Sequence, residues 1–161
     1  MLIEILDPTR HNRADFDCGV PELNRYLQHF ANQDQKRGLA KTYVLVDGTQ
    51  IRGYYSLAAH SVTRENLPPD LSKKAGVYND IPFLLLGRLA IDKRFQGKGY
   101  GDAMMYHVLK TTKHLAESVG IIGMIVDTKD EKAAAFYQRF GFRRIEGNKN
   151  RLVLPIASFS V

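Results

Sequence analysis

"RFQGKGYG", Arg94–Gly101, lies one residue beyond the apolar run "PFLLLGRLAID", Pro82–Asp92. That run has the length and composition of a buried strand. Past the glycines, Met104, Val108, Leu109, Leu115, Ala116 and Val119 recur at helical spacing, and Gly120 supplies a stop. The predicted order is therefore strand, glycine loop, helix. Gly97, Gly99 and Gly101 let the backbone approach a bulky group with no Cβ in the way. The helix behind them aims unpaired N–H groups and its dipole at that space, which favours an anion. The stretch reads as a phosphate cradle.

Spacing separates the owners of such a cradle. A Walker loop requires Ser or Thr after its lysine to meet magnesium, and Gly99 follows Lys98 here. A dinucleotide fingerprint requires Gly-x-Gly-x-x-Gly tight against the strand. This chain has Gly-x-Gly-x-Gly set off by "DKRFQ", although Asp127 stands where a ribose-binding acid would. A third pattern, Gln-x-x-Gly-x-Gly, is matched in full by Gln96, Gly99 and Gly101. A plain flexible connection remains the alternative to all three.

Around the loop the chain alternates strands and helices. "LIEIL" reads as a strand ended by Asp7-Pro8. Pro21 to Lys36 reads as one helix with Leu23, Tyr26, Leu27, Phe30 and Ala31 on its apolar face, and Gly38 after it. Two β-rich runs flank Asp47-Gly48 as a hairpin. Residues 60–82 read as a long irregular connection holding at most a helical turn. "IIGMIVDT" reads as a strand buried on both faces. Asp130 caps a further helix, Gly141 closes it, and "FRRIEG" with "NRLVLPI" forms a last hairpin. The expected fold class is α/β: one domain over residues 1–161, with a mixed central sheet flanked by helices.

Composition narrows the function classes. A chain of 161 residues, 44% hydrophobic, is long enough for one packed core. A net charge of +6 favours a polyanionic partner. No apolar run approaches the roughly 20 residues of a spanning helix, so no membrane association is expected. The start "MLIEILDPTR" lacks the marks of a secretion signal. The single cysteine, Cys18, fits a reducing, cytoplasmic setting.

A second stretch sharpens the reading. "DEKAAAFYQRFGF", Asp130–Phe142, resembles the late motif of the GNAT N-acetyltransferase superfamily, where a helix carries an aromatic–Tyr pair before Gly-Phe. The Gln96 loop resembles that superfamily's pyrophosphate loop, and the two motifs lie one helix and one strand apart, as in the family. Asp130 departs from the pattern, in which Asn is usual. A wider likeness, in "FDCGVPELNRYLQHFANQDQKRGLAKTYVLVDGTQIRGYYSLAA" and "LLGRLAIDKRFQGKGYG", is to the GNAT toxins of bacterial toxin–antitoxin pairs. The resemblance implies a GNAT fold with a mostly antiparallel sheet, and acetyl-CoA as acetyl donor without a metal. It further implies acetylation of the α-amino group of aminoacyl-tRNA, which blocks translation. A ribbon–helix–helix antitoxin is the implied protein partner, and a homodimer is allowed for, many relatives being dimers. Acetylation of protein N-termini or small amines is the alternative acceptor chemistry. A catalytically silent RNA- or protein-binding module is the alternative class.

The resemblance also distributes roles. Leu89, Ala90 and Ile91 would pair by backbone with the pantetheine arm. Gln96, Gly97, Lys98, Gly99, Tyr100, Gly101 and Asp102 would hold the pyrophosphate, with Asp130 and Phe136 also at the cofactor. Tyr137 would protonate the leaving thiolate; a phenol with pKa near 10 keeps its proton at pH 7. Lys36, Arg37, Arg88, Arg143 and Arg144 are the main candidates for tRNA, with Lys41, Lys149 and Arg151 behind them. The histidines, His11, His29, His60, His107 and His114, read as surface or packing residues with no metal-ligand spacing. No general base is expected from them, because an α-amine is far closer to neutral at pH 7 than a lysine side chain. Cys18, without an activating neighbour, is not expected to be a nucleophile.

Overall fold

Backbone ladders pair the first three strands edge to edge. In the computed structural model β1 (Leu2–Ile5) runs antiparallel to β2 (Lys41–Asp47), with Leu2 opposite Val46 and Ile5 opposite Tyr43. The strand β2 turns at Asp47-Gly48 into β3 (Gln50–Thr63), and Gly48 takes the positive φ of 64° that the tight turn requires. The structure describes residues 1–145 and 147–161; Glu146 and the Lys149 side chain, and with them that tRNA candidate, lie outside the described residues.

The other strands are β4 (Asp80–Ile91), β5 (Gly123–Asp127), β6 (Arg143–Ile145) and β7 (Asn148–Pro155). The sheet order is β1-β2-β3-β4-β5-β7-β6. β4 and β5 pair in parallel, whereas β1 with β2, β2 with β3, β5 with β7 and β6 with β7 pair antiparallel, so the sheet is mixed and mostly antiparallel, as expected. The chain divides into two compact units, Met1–Ala58 with Gly87–Val108, and Ala59–Leu86 with Leu109–Val161.

In the first unit the helical segment after Pro21 packs on the sheet through Tyr26, Leu27 and Ala31, against Val44, Val46 and Tyr54. It is not the single regular helix expected. α1 (Pro21–Arg25) passes into a π turn (Tyr26–Phe30), where the Ala31 N–H reaches back five residues to the Tyr26 carbonyl, and then into α2 (Ala31–Lys36). The extra residue rotates Phe30, expected on the apolar face, out to 43% exposure while Ala31 stays buried. α4 (Tyr100–Ala116) begins in this unit, where Met104 and Met105 are fully buried, and runs on into the second. It stops at Ala116, short of the expected Gly120, so Val119 lies beyond it and is half exposed.

In the second unit β4 pairs with β5 from Phe83↔Gly123 to Leu86↔Val126, and β5 pairs with β7. Gly123 is required here, because a Cβ would meet the Leu154 carbonyl oxygen at 2.6 Å. Ile81, Phe83, Ile125, Val153 and Val62 form the core with Leu71 of α3 (Pro69–Lys74). The stretch 60–82 is therefore more ordered than expected. β3 extends to Thr63, a 3₁₀ turn spans Arg64–Asn66, Pro69 opens α3, and β4 begins at Asp80. Prolines that read as loop punctuation instead set the first turn of a helix. α5 (Glu131–Gln138) follows β5.

Candidate active site

The glycine loop is built on a buried carboxylate. Asp92, at the end of β4, is fully buried and caps the 3₁₀ turn Lys93–Phe95. Its Oδ1 accepts from the Arg94 N–H and Nε, both at 2.9 Å, and its Oδ2 accepts from Arg94 Nη2 and the Asp17 N–H, both at 3.0 Å. Burial alone would raise its pKa, but the Arg94 and Asp17 hydrogen bonds outweigh that and hold it below the ordinary carboxylate value.

The N-terminal segment is stitched to the same turn. The Lys93 N–H donates to the Asp17 carbonyl, and Lys93 Nζ lies 2.8 Å from Asp17 Oδ2. The Lys93 hydrogen bond, with those from the Gly19 N–H and Asn24, lowers the Asp17 carboxyl to about 2. Gln96 donates from Nε2 to the Cys18 carbonyl at 3.0 Å and the Ile91 carbonyl at 2.8 Å. The Gln96 side chain therefore faces the protein and shapes the loop, rather than reaching outward to a cofactor.

Gly97 and Gly99 take φ of 75° and 85°, and a Cβ at either would meet nothing within 4 Å. These are left-handed conformations over open space, so it is backbone shape that requires glycine here. The first bond of α4 runs from the Ala103 N–H to the Gly99 carbonyl, so the helix opens directly on the glycine loop. The lining suits a pyrophosphate: free backbone curvature, a helix N-terminus and the exposed Lys98. Tyr100 keeps its ring edge-on to Phe95 and accepts from Arg52 at 3.1 Å, so its phenol braces the rim.

β4 continues through Gly87, Arg88, Leu89, Ala90 and Ile91 beyond its last pair with β5. Strand groups past the end of a ladder can pair with an extended ligand. Ala90 is buried, whereas Leu89 and Ile91 are half-buried. Arg88 lays its guanidinium 3.4 Å from the centre of the Tyr26 ring, a cation–π contact.

In the second unit Tyr137 is buried on α5, edge-on to Phe136 at 5.1 Å and to Phe142 at 5.7 Å. Burial pushes its phenol above the ordinary tyrosine value, so it stays protonated at pH 7. Asp130 is the helix cap: its Oδ1 accepts from the Ala133 N–H at 2.8 Å. That carboxylate is committed to the helix, and Phe136 to the aromatic cluster with Tyr137 and Phe140.

The basic residues divide. Lys36 and Arg37 are exposed at the end of α2. Arg143 pairs with Asp70 and Arg144 with Glu131, each at 2.5 Å. Such exposed pairs contribute little, about 0–1 kcal/mol, so a phosphate can displace either acid. Arg151 holds Asp127 in a bidentate pair at 2.7 and 2.9 Å.

Two of the five histidines are structural. His11 is buried between Glu4 and the Asp7 N–H, and His107 shares a hydrogen bond with the buried Tyr55 hydroxyl. His114 is exposed beside Glu117. Cys18 is buried, its thiol pushed up by burial, in keeping with an unreactive side chain. Among the described residues no group of three or more His, Cys, Asp or Glu could hold a metal, and no helix is long and apolar enough to cross a membrane. Asp92 and Asp17 escaped the sequence reading; an Asp two residues before Arg, at a strand end, was the available signal for the first.

The profile of the acetyltransferase (GNAT) domain matches residues 38–144. A probable toxin TacT of Sinorhizobium fredii is 30% identical, over 98% of this chain and 92% of that protein. The structure of AtaT complexed with acetyl-methionyl-tRNAfMet superposes with a TM-score of 0.89 at 33% identity, covering 98% of this chain and 95% of that one. A mutant AtaT toxin, bound to the C-terminus of the antitoxin AtaR and acetyl-CoA, superposes with a TM-score of 0.82 at 30% identity, over 98% and 94% of the two chains.

Proposed function

The chain belongs to the GNAT acetyltransferase family, and from that premise we propose that it acetylates the α-amino group of aminoacyl-tRNA and so stops translation. The observation that carries the acceptor is the near full-length likeness to a toxin bound to acetyl-methionyl-tRNA. The +6 charge and the exposed Lys36 and Arg37 agree with a nucleic-acid substrate. An antitoxin is the protein partner by the likeness to toxins held by one. Charged tRNA and acetyl-CoA place the protein in the cytoplasm, and residues 1–161 act as one catalytic domain.

Acetyl-CoA supplies a thioester carbonyl as electrophile. The loop Gly97–Asp102 receives its pyrophosphate on backbone N–H groups, and Asp92, Asp17 and Gln96 hold that loop in shape. Leu89, Ala90 and Ile91 offer strand hydrogen bonds to the pantetheine arm, and a backbone N–H of that edge faces the oxygen on which charge develops. Tyr137 gives its proton to the departing sulfur; burial keeps the phenol protonated until negative charge appears there. Arg88, Arg143 and Arg144 meet tRNA phosphates, the last two by exchanging their carboxylate partners.

The test is incubation with charged tRNA and labelled acetyl-CoA. Label on the aminoacyl group is expected, and Tyr137→Phe is expected to bind acetyl-CoA normally while losing about 100-fold in turnover. Label confined to protein N-termini or small amines would assign the other acceptor, and no transfer to any amine would leave a binding module.

A further inference from the structure

The reaction has an acid in Tyr137 but, so far, nothing to take the proton from the acceptor nitrogen. In the second unit Val62 of β3, Ile125 of β5 and Val153 of β7 meet in one core. His60, Asp127 and Arg151 each lie two residues away along those strands, so period-two alternation puts all three on the face of that core. Asp127 and Arg151 are register partners joined by two hydrogen bonds. Asp127 is also the first residue of β5 beyond the last pair with β4, Leu86↔Val126, so the row stands where the parallel ladder ends.

His60 is half-buried in this row, and among the described residues no hydrogen bond engages its ring. Burial, and then the Arg151 charge, hold the imidazole below its ordinary value, with Asp127 pulling the other way. The ring is therefore neutral at pH 7, with a lone pair available. Among the described residues no other charged group bears on it from the strands around it. A half-buried neutral imidazole beside a fixed ion pair, its ring without a hydrogen bond among the described residues, is equipped to take a proton.

We propose that His60 is the general base of the acetyl transfer, taking the proton from the acceptor nitrogen as that nitrogen bonds to the acetyl carbon. This rests on the reaction assigned above. The N–C bond forms and the C–S bond breaks; the nitrogen's proton goes to His60 and the sulfur's comes from Tyr137. Solvent water then carries the His60 proton back to the Tyr137 phenolate, so the cycle closes without net change in the enzyme. Asp127 and Arg151 fix the electrostatic setting of the ring and take no proton themselves.

The experiment compares wild type with His60→Gln, and with His60→Asn as a second, smaller replacement, on charged tRNA from about pH 5 to 8. Acetyl-CoA affinity, measured by calorimetry, reports that each variant is folded and is expected to match wild type. We expect kcat/KM to fall about 100-fold in both. The acidic limb of log kcat/KM should also lose steepness, from a slope of about 2 to about 1, because only the substrate amine still titrates. Unchanged kcat/KM, or a fall that leaves the slope at about 2, overturns the assignment. A wild-type protein that labels no charged tRNA refutes the acceptor reading instead. The same comparison on a small amino acid ester then decides His60 alone: undiminished turnover in the variants overturns it, and the same loss of rate and slope upholds it.

Discussion

Replacing Asp92 by asparagine keeps the shape of the side chain and reverses half of its hydrogen bonding. The carboxylate accepts four donors, two on each oxygen, from Arg94 and the Asp17 N–H. An amide offers one oxygen, so its NH₂ group must face two of those donors. With the oxygen kept toward the Arg94 N–H and Nε, the Asp17 N–H loses its acceptor at a buried site. A stranded backbone N–H costs about 1–3 kcal/mol. That cost falls on the turn that shapes the phosphate cradle, so about 1.4 kcal/mol of it expressed there weakens acetyl-CoA binding about tenfold. Thermal unfolding should drop by roughly 2–12 °C. Calorimetric titration with acetyl-CoA, beside steady-state kinetics, checks this: the KM for acetyl-CoA should rise about tenfold while kcat moves less than about threefold. Unchanged affinity, or a loss confined to kcat, would refute the idea that Asp92 works by setting the loop. The pH dependence has a definite sign. The folded carboxyl is held below the 3.8 of an ordinary aspartate, so its contribution is complete above that value and fades as pH falls through the lower folded pKa. Wild-type affinity should therefore be indifferent to Asp92 between about pH 5 and 8.

Two further outcomes follow from packing and charge. Gly123→Ala drives a Cβ against the Leu154 carbonyl oxygen at 2.6 Å and the Pro155 Cα at 3.1 Å, both backbone, and should cost about 1–3 kcal/mol in a chemical denaturation series; a neutral result would show that β5 and β7 can separate cheaply. Arg143→Gln and Arg144→Gln should each weaken charged tRNA and flatten the slope of log affinity against log salt by about 1. They should leave acetyl-CoA affinity unchanged, and equal slopes in all three proteins would remove these arginines from the tRNA surface.

Local signals gave the loop and its flanks correctly, because each depends on neighbours in sequence. Asp130 does cap α5, and α4 does follow the glycine loop, although the positive φ that requires glycine at Gly97 and Gly99 was not part of that reading. The same locality explains the failures. Leu23, Tyr26, Leu27, Phe30 and Ala31 fit an uninterrupted helix, and only packing against the sheet reveals the added residue that turns Phe30 outward. Asp92 was passed over because one of its donors lies 75 residues earlier in the chain. Arg143 and Arg144 read as free cations, since Asp70 and Glu131 are brought to them by the fold. Among the histidines, spacing could not tell the satisfied His11 from the unengaged His60; that distinction needed burial and partners.

Cys18 is the chain's sole thiol, and its own backbone carbonyl is what Gln96 grips. With 8% exposure, it can meet an alkylating reagent only when that stretch swings open. The rate of its modification is thus a stopwatch on the order of the phosphate loop, readable by mass spectrometry without any label or mutation. An acyl donor that braces the loop should slow the clock, and a ligand that binds elsewhere should leave it running at its own pace.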